Sequence, residues 1–115
     1  MAHIRLKRAY DKPAPADGVR VLVDRLWPRG LKRDGARIDH WLKDVAPSTA
    51  LRQWFNHDPA RWDGFSERYR LELHRNPDAL AELKELAREA KTLTLLFAAK
   101  DAEHNNAVVL KALLD

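Results

Sequence analysis

Val19-Arg20-Val21-Leu22-Val23-Asp24-Arg25-Leu26-Trp27-Pro28-Arg29-Gly30 is a short β-branched run that stops abruptly in charged, aromatic and turn-forming residues. Val19, Val21, Leu22 and Val23 favour a strand with little exposed face, as in a parallel sheet covered on both sides. Pro28 cannot donate to a sheet ladder and biases Trp27 away from helix, while Gly30 permits a turn that other residues resist. The strand therefore ends inside the motif, over residues 19–25, with Asp24 and Arg25 at its carboxyl end. The stretch reads as a buried strand that delivers polar groups to a site.

Upstream, Ile4 and Leu6 alternate with Arg5 and Lys7, the period of two expected of a strand over residues 3–9 with one wetter face. Pro13, Pro15, Asp17 and Gly18 make residues 10–18 a connector. Downstream, residues 31–36 form a basic loop, and Ile38, Trp41, Leu42 and Val45 recur at helical spacing, so a short helix ending at Pro47 is predicted. Ser48 suits the N-cap of a second helix with Leu51, Trp54 and Phe55 on one face. Asp58-Pro59 is a cap followed by proline, opening the longest helix along Trp62, Phe65, Tyr69 and Leu73. Gly64 within it costs about 1 kcal/mol against alanine, through either close packing or simple tolerance. Asn76-Pro77 opens another helix, with Leu80, Leu83, Leu86 and Ala87 inward, to about Ala90. The period then changes: Thr92-Leu93-Thr94-Leu95-Leu96-Phe97-Ala98 reads as a second buried strand. Ala107, Leu110, Leu113 and Leu114 face inward from a last helix, with Asp101 placed to cap it. The predicted fold is a single small α/β domain over residues 1–115, in two or three layers, with a mainly parallel sheet and the order β-β-α-α-α-α-β-α.

Composition excludes several classes. The 115 residues are 45% hydrophobic and 33% charged, as in globular rather than disordered chains. No apolar run approaches membrane-spanning length and the first residues alternate in charge, so a cytoplasmic protein without membrane contact is expected. The absence of cysteine removes disulfides, thiolate nucleophiles and cysteine-ligated metals. None of the five histidines has a metal-binding spacing, and no glycine-rich phosphate loop occurs, so no metal or cofactor is expected. The net charge of +4 is uneven: nine Lys or Arg against three Asp put +6 in residues 1–33 and leave −2 for the rest. That excess suits an anionic partner, or it solvates strand flanks such as Arg5, Lys7 and Arg20.

Two buried strands joined through helices are normally parallel, so their carboxyl ends lie on one side. Ligands of open α/β sheets bind beyond those ends. Asp24, Arg25, Trp27 and Arg29 are therefore expected to face Lys100, Asp101, His104 and Asn105 across a crevice. Arg25, Arg29 and Lys100 outnumber Asp24 and Asp101 by one, beside a helix start that suits an oxyanion. Asp24 fits a general base, or a structural acceptor of loop amides or of Arg25. Arg29 fits a bidentate anion grip, or a fork that holds its own loop. Trp27 could close one side of a ligand. His104 could move protons near neutral pH, or merely start a helix, and Asn105 could orient a ligand or cap. The sequence thus predicts a crevice for a small anion or anionic metabolite: Arg25, Arg29 and Lys100 supply charge, and the amides near Asp101 to His104 donate. If it catalyses, Asp24 and His104 are the acid–base pair. The alternative is a nucleic-acid-binding or regulatory module using Arg5, Lys7, Arg8, Lys12, Lys32 and Arg33 as a basic face.

The runs Val21–Gly30, Trp41-Leu42-Lys43-Asp44-Val45-Ala46-Pro47-Ser48, Leu51-Arg52-Gln53-Trp54-Phe55, and Ala98-Ala99-Lys100-Asp101 with His104-Asn105 and Ala107-Val108-Val109-Leu110 resemble the YeaO-like branch of domain-of-unknown-function family 488. The resemblance spans nearly the whole chain and implies a small cytoplasmic α/β domain, with Asp24, Arg25 and His104 among the family's signature positions. Many relatives carry a Cys-His-Arg-like triplet at the start of the last helix, where this chain has His104-Asn105-Asn106. Thiol chemistry is thereby excluded here. A regulator of the winged-helix kind, a label given to some relatives, does not match the β/α alternation.

Overall fold

Strands β1 (His3–Arg8), β2 (Val19–Leu22), β3 (His40–Trp41) and β4 (Thr92–Phe97) form one sheet. Its spatial order is β1-β4-β2-β3 and every neighbouring pair is parallel. The computed structural model describes residues 2–115. Helices α1 (Thr49–Phe55), α2 (Trp62–Arg75) and α3 (Pro77–Glu89) lie between β3 and β4, and α4 (Asn106–Leu114) follows β4. The expected parallel pairing of the two buried strands is present, with Val21 opposite Leu95 and Leu22 opposite Leu96.

Register decides which residues meet the helices. Ile4 and Val19 both pair with Leu93, while Leu6 and Val21 both pair with Leu95, so these side chains share one face. That face, with Val23 and Phe97, packs against Leu51 and Phe55 of α1, Phe65 and Tyr69 of α2, Leu83 of α3 and Leu110 of α4. Each such leucine, fully buried, contributes about 2 kcal/mol. The opposite face carries Leu22 and Leu96, covered by Trp27, Leu31 and Ile38 from the loop after β2 and by Trp41 of β3. A loop with a small apolar cluster thus covers the second face over Leu22 and Leu96.

Arg20 belongs to that second face and is not a solvated flank, as its charge suggested. It is 1% exposed, and so is its partner Asp17. The Arg20 Nη1 donates to Asp17 Oδ2 at 2.6 Å, Nε to the Arg37 carbonyl and Nη2 to the Ala36 carbonyl, both at 3.0 Å. Lys7 Nζ reaches the same carboxylate at 3.1 Å, and the Ala14 amide donates to it at 3.0 Å. Every buried charge in the group is paired, the condition under which burial is tolerated.

The helix expected on Ile38, Trp41, Leu42 and Val45 is absent. In its place stand β3 and a single 3-10 turn over Lys43–Val45. The segment from Gly35 to Pro47 is short for a self-sustaining helix, and β2 offers it backbone partners. The Asp39 amide donates to the Arg20 carbonyl and the Leu42 amide to the Leu22 carbonyl, both at 2.9 Å. The observed order is therefore β-β-β-α-α-α-β-α. Tyr69, buried in α2, donates from its hydroxyl to the Val45 carbonyl and fixes this turn.

The caps divide. Ser48 caps α1 as expected, its Oγ accepting from the Leu51 amide, and the Glu72 carboxylate holds Ser48 through both amide and hydroxyl. Asp58 caps a 3-10 turn over Pro59–Arg61 that runs into α2. Pro77 opens α3, but Asn76 turns its amide to the Asp44 carbonyl instead of capping. Asp101 does not cap α4; Asn105 does, its Oδ1 accepting from the Val108 amide at 3.2 Å.

Gly64 is explained by close packing. A Cβ there would lie 2.8 Å from Cη2 of Trp54. Two guanidinium groups lie over that ring, Arg68 at 3.8 Å and Arg61 at 5.2 Å from its centroid. Gly64→Ala is therefore expected to lower the melting temperature, although helix propensity alone would raise stability by about 1 kcal/mol. Thermal unfolding of the variant checks the sign.

Candidate functional site

The ends of β2 and β4 and the start of α4 are stapled together through one carboxylate. The Val23 amide still donates to the Leu96 carbonyl at 3.1 Å, one residue beyond β2. Asp24 then turns toward β4, and its Oδ2 accepts the Ala98 amide at 2.8 Å. Its Oδ1 accepts from Asn106 Nδ2 at 3.2 Å, and the same nitrogen donates to the Val23 carbonyl at 2.9 Å. Trp41 Nε1 donates to the Asp24 carbonyl at 2.7 Å, tying in β3. Burial pushes the Asp24 carboxyl above its usual value; the Ala98 and Asn106 hydrogen bonds and the charge of Arg52 oppose that rise without cancelling it.

Above this staple opens a cleft of about 700 Å³. It is bordered by the chain from Asp24 to Arg29, by α1 and the turn after it, by Ala98, Ala99 and His104 to Asn106, and by Tyr10, Pro47 and Phe65. Arg25, Arg29 and Arg52 all border it, against Asp24 as the single bordering carboxylate, a net charge of +2 with the histidines neutral. Among the described residues none of these three arginines is in an ion pair. Arg25 makes only long contacts, at 3.3 and 3.4 Å, to the Ala46 and Pro47 carbonyls. Arg29 is exposed, and its carbonyl accepts from the Tyr10 hydroxyl at 2.8 Å, which anchors the loop.

Of the residues singled out from sequence, Asp24, Arg25, Trp27, Arg29, His104 and Asn105 meet at this cleft. Lys100 and Asp101 are not among the residues that border it. Lys100 is exposed, and Asp101 folds the turn before α4. The Asp101 Oδ1 accepts the amides of Glu103 at 2.9 Å and His104 at 3.1 Å, so two of the amides expected to meet a ligand are already engaged. The Glu103 amide and the His104 ring hold the Asp101 carboxyl below the usual range. His104 Nδ1 lies 2.9 Å from Asp101 Oδ2, and its ring meets Trp62 edge-on at 5.3 Å. Asn105 is 3% exposed, with its carboxamide used for capping and for the Asp101 carbonyl. Trp27 borders the cleft but stands edge-on to Trp41 at 5.4 Å, under the Arg33 guanidinium at 4.3 Å, and donates to the Leu31 carbonyl.

Arg52, Gln53, Asn56 and His57 were not singled out and border the cleft. Thr49 with Gln53 and Arg52 with Asn56 each fall four residues apart on α1 and its cap. That spacing is the one available signal, and it is equally that of a solvated helix face. Asn56 and His57 have left-handed backbones, with φ of 47° and 54°, which turn the chain sharply at the cleft wall. Among the described residues no three His, Asp or Glu side chains converge as metal ligands, and no helix is long and apolar enough to cross a membrane.

A small parallel α/β domain with a cleft of mixed polar and apolar lining at the carboxyl ends of its strands is the class that this geometry defines. The chain belongs to the DUF488 family: residues 3–115 match the model described as the inactive DUF488-N3 subclade. It is 45% identical to the uncharacterized protein Rv3073c of Mycobacterium tuberculosis over 97% of this chain and 93% of that one. It is 41% identical to the uncharacterized protein YeaO of Escherichia coli over 94% and 93% respectively. No solved structure gives a significant match.

Proposed function

We propose that the cleft binds a small anion or anionic metabolite without turning it over. The observation that carries this reading is the meeting of Arg25, Arg29 and Arg52, free of ion pairs among the described residues, at one cleft. Guanidinium groups favour planar, bidentate recognition of carboxylate and phosphate. Asp24 offsets only one of the three charges and makes no ion pair with them, its oxygens accepting from Ala98 and Asn106, so the cleft stays net positive. The same bonds argue against Asp24 as a mobile general base with His104, since proton transfer would compete with the staple between β2, β4 and α4. The family's description as an inactive subclade agrees with binding in place of catalysis.

The basic-face alternative has less support. Lys7 is committed to Asp17 and to the Lys12 carbonyl, Arg8 to the Ala98 and Ala99 carbonyls, and Arg33 lies on Trp27.

Thermal unfolding in rising inorganic phosphate tests the proposal. A ligand bound only by the folded state at a hundred times its Kd raises stability by about 2.7 kcal/mol. The wild type is expected to gain melting temperature saturably, and Arg29→Ala and Arg52→Ala to lose most of that gain. Equal gains in all three proteins, or none in the wild type with phosphate or acetate, would overturn it.

A further inference from the structure

Tyr10, Leu26 and Leu71 are the large apolar side chains left exposed among the described residues, and two of the three, Tyr10 and Leu26, stand on the cleft. Leu26 is 63% exposed although it lies between Arg25 and the half-buried Trp27. The aromatic rings of Phe55 and Phe65 border the same space. A space of about 700 Å³ is far larger than a single oxyanion needs and falls in the range of sites for drug-sized organic ligands. An inorganic ion would leave Leu26 and Tyr10 as wet as before. Resting on the anion-binding reading above, we infer that the occupant is an organic anion with a planar apolar body, an aryl phosphate or aryl carboxylate. Its charged end meets the arginines and its ring covers Leu26 and Tyr10.

Arg25, Leu26 and Arg29 come from the chain after β2 and Arg52 from α1, so a ligand whose charged group meets these arginines has Leu26, next to Arg25 in the chain, for its ring. Gln53 and Asn56 stand on the α1 side with carboxamides able to bond a polar substituent on the ring. Burying apolar area that is otherwise exposed is where such a ligand gains over a bare ion.

Calorimetric titration of the whole protein with matched probes tests this: phenyl phosphate against inorganic phosphate, and benzoate against acetate. The aryl member of at least one pair is expected to bind about tenfold tighter or more, and the preferred pair identifies the charged group. Leu26→Ser, a change at an exposed position outside the core, is expected to remove most of the aryl advantage and leave the affinity for the bare ion unchanged. Equal affinity within both pairs would overturn the aryl inference and leave the anion site standing. An aryl advantage that survives Leu26→Ser would overturn the placement of the ring. Failure of all four probes to bind would remove both readings.

Discussion

Asp17→Ala is expected to destabilise the protein by about 3–5 kcal/mol, the scale seen when one partner of a buried ion pair is removed, against a total of roughly 5–15 kcal/mol for a domain of this kind. The loss is not that of one surface contact. Asp17 and Arg20 are both 1% exposed, and without the carboxylate the Arg20 guanidinium keeps only the Ala36 and Arg37 carbonyls in a buried setting. Burial raises the Asp17 carboxyl, but the Ala14 amide, Lys7 and Arg20 more than reverse that rise and hold it below the usual carboxylate range. A carboxyl depressed in the folded state stabilises fully above its unfolded value, about pH 4, and that contribution is lost as pH falls further toward the folded value. Denaturant unfolding at pH 7 measures the loss. Repeated at pH 3, the gap between wild type and Asp17→Ala is expected to narrow; a gap independent of pH would show that the charge is not what Asp17 contributes.

Gly18→Ala is expected to cost roughly 3 kcal/mol or more, combining backbone strain with an overlap that the packed sheet cannot relieve. Gly18 has φ 64° and ψ −134°, a conformation open in practice to glycine alone. A Cβ would also fall 2.2 Å from the Thr92 carbonyl oxygen, at the beginning of β4. The connector carrying Asp17 therefore presses directly on the central strand, and the Asp17 carbonyl accepts the Thr94 hydroxyl at 2.7 Å beside it. Gly30 and Gly35 also have positive φ, but a Cβ at either would meet nothing within 4 Å, so Gly35→Ala should carry only the conformational part of the cost. Chemical denaturation of Gly18→Ala and Gly35→Ala side by side separates strain from overlap.

The sheet was legible in the sequence because β2 and β4 are rich in apolar and β-branched residues and bounded by turn residues, a pattern that local propensity and burial both favour. The three helices from Thr49 to Glu89 were legible for the same reason, each opening on a capping residue or a proline and carrying one apolar stripe. β3 was not. Its two residues owe their state to the edge of β2, where His40 pairs with Val21 and Trp41 with Leu22, and Trp41 and Leu42 fit a helical stripe equally well. The burial of Arg20 was hidden because an arginine in a strand normally marks a wet face. Only the turn that brings Asp17 and the carbonyls of Ala36 and Arg37 around it makes the inward direction favourable.

The candidate site was legible where it depends on parallel topology and not where it depends on loop shape. Asp24, Arg25, Trp27, Arg29, His104 and Asn105 reach one cleft because strand ends and the start of α4 share one side of the sheet. Lys100 and Asp101 are adjacent in sequence yet stay off it, since the turn after β4 spends Asp101 on its own amides. Arg52 arrives from α1 by tertiary packing, and a polar helix face gives no sign of what it will border.

The measurement that bears most directly on the anion-binding cleft is a nuclear magnetic resonance titration of the arginine Nε–H signals with inorganic phosphate at fixed ionic strength. Saturable shifts are predicted at Arg25, Arg29 and Arg52, with Arg61 and Arg88, which are paired with Asp58 and Glu85 elsewhere on the surface, unaffected. Shifts of equal size at all five arginines, or no saturable shift at the three that border the cleft, would contradict it.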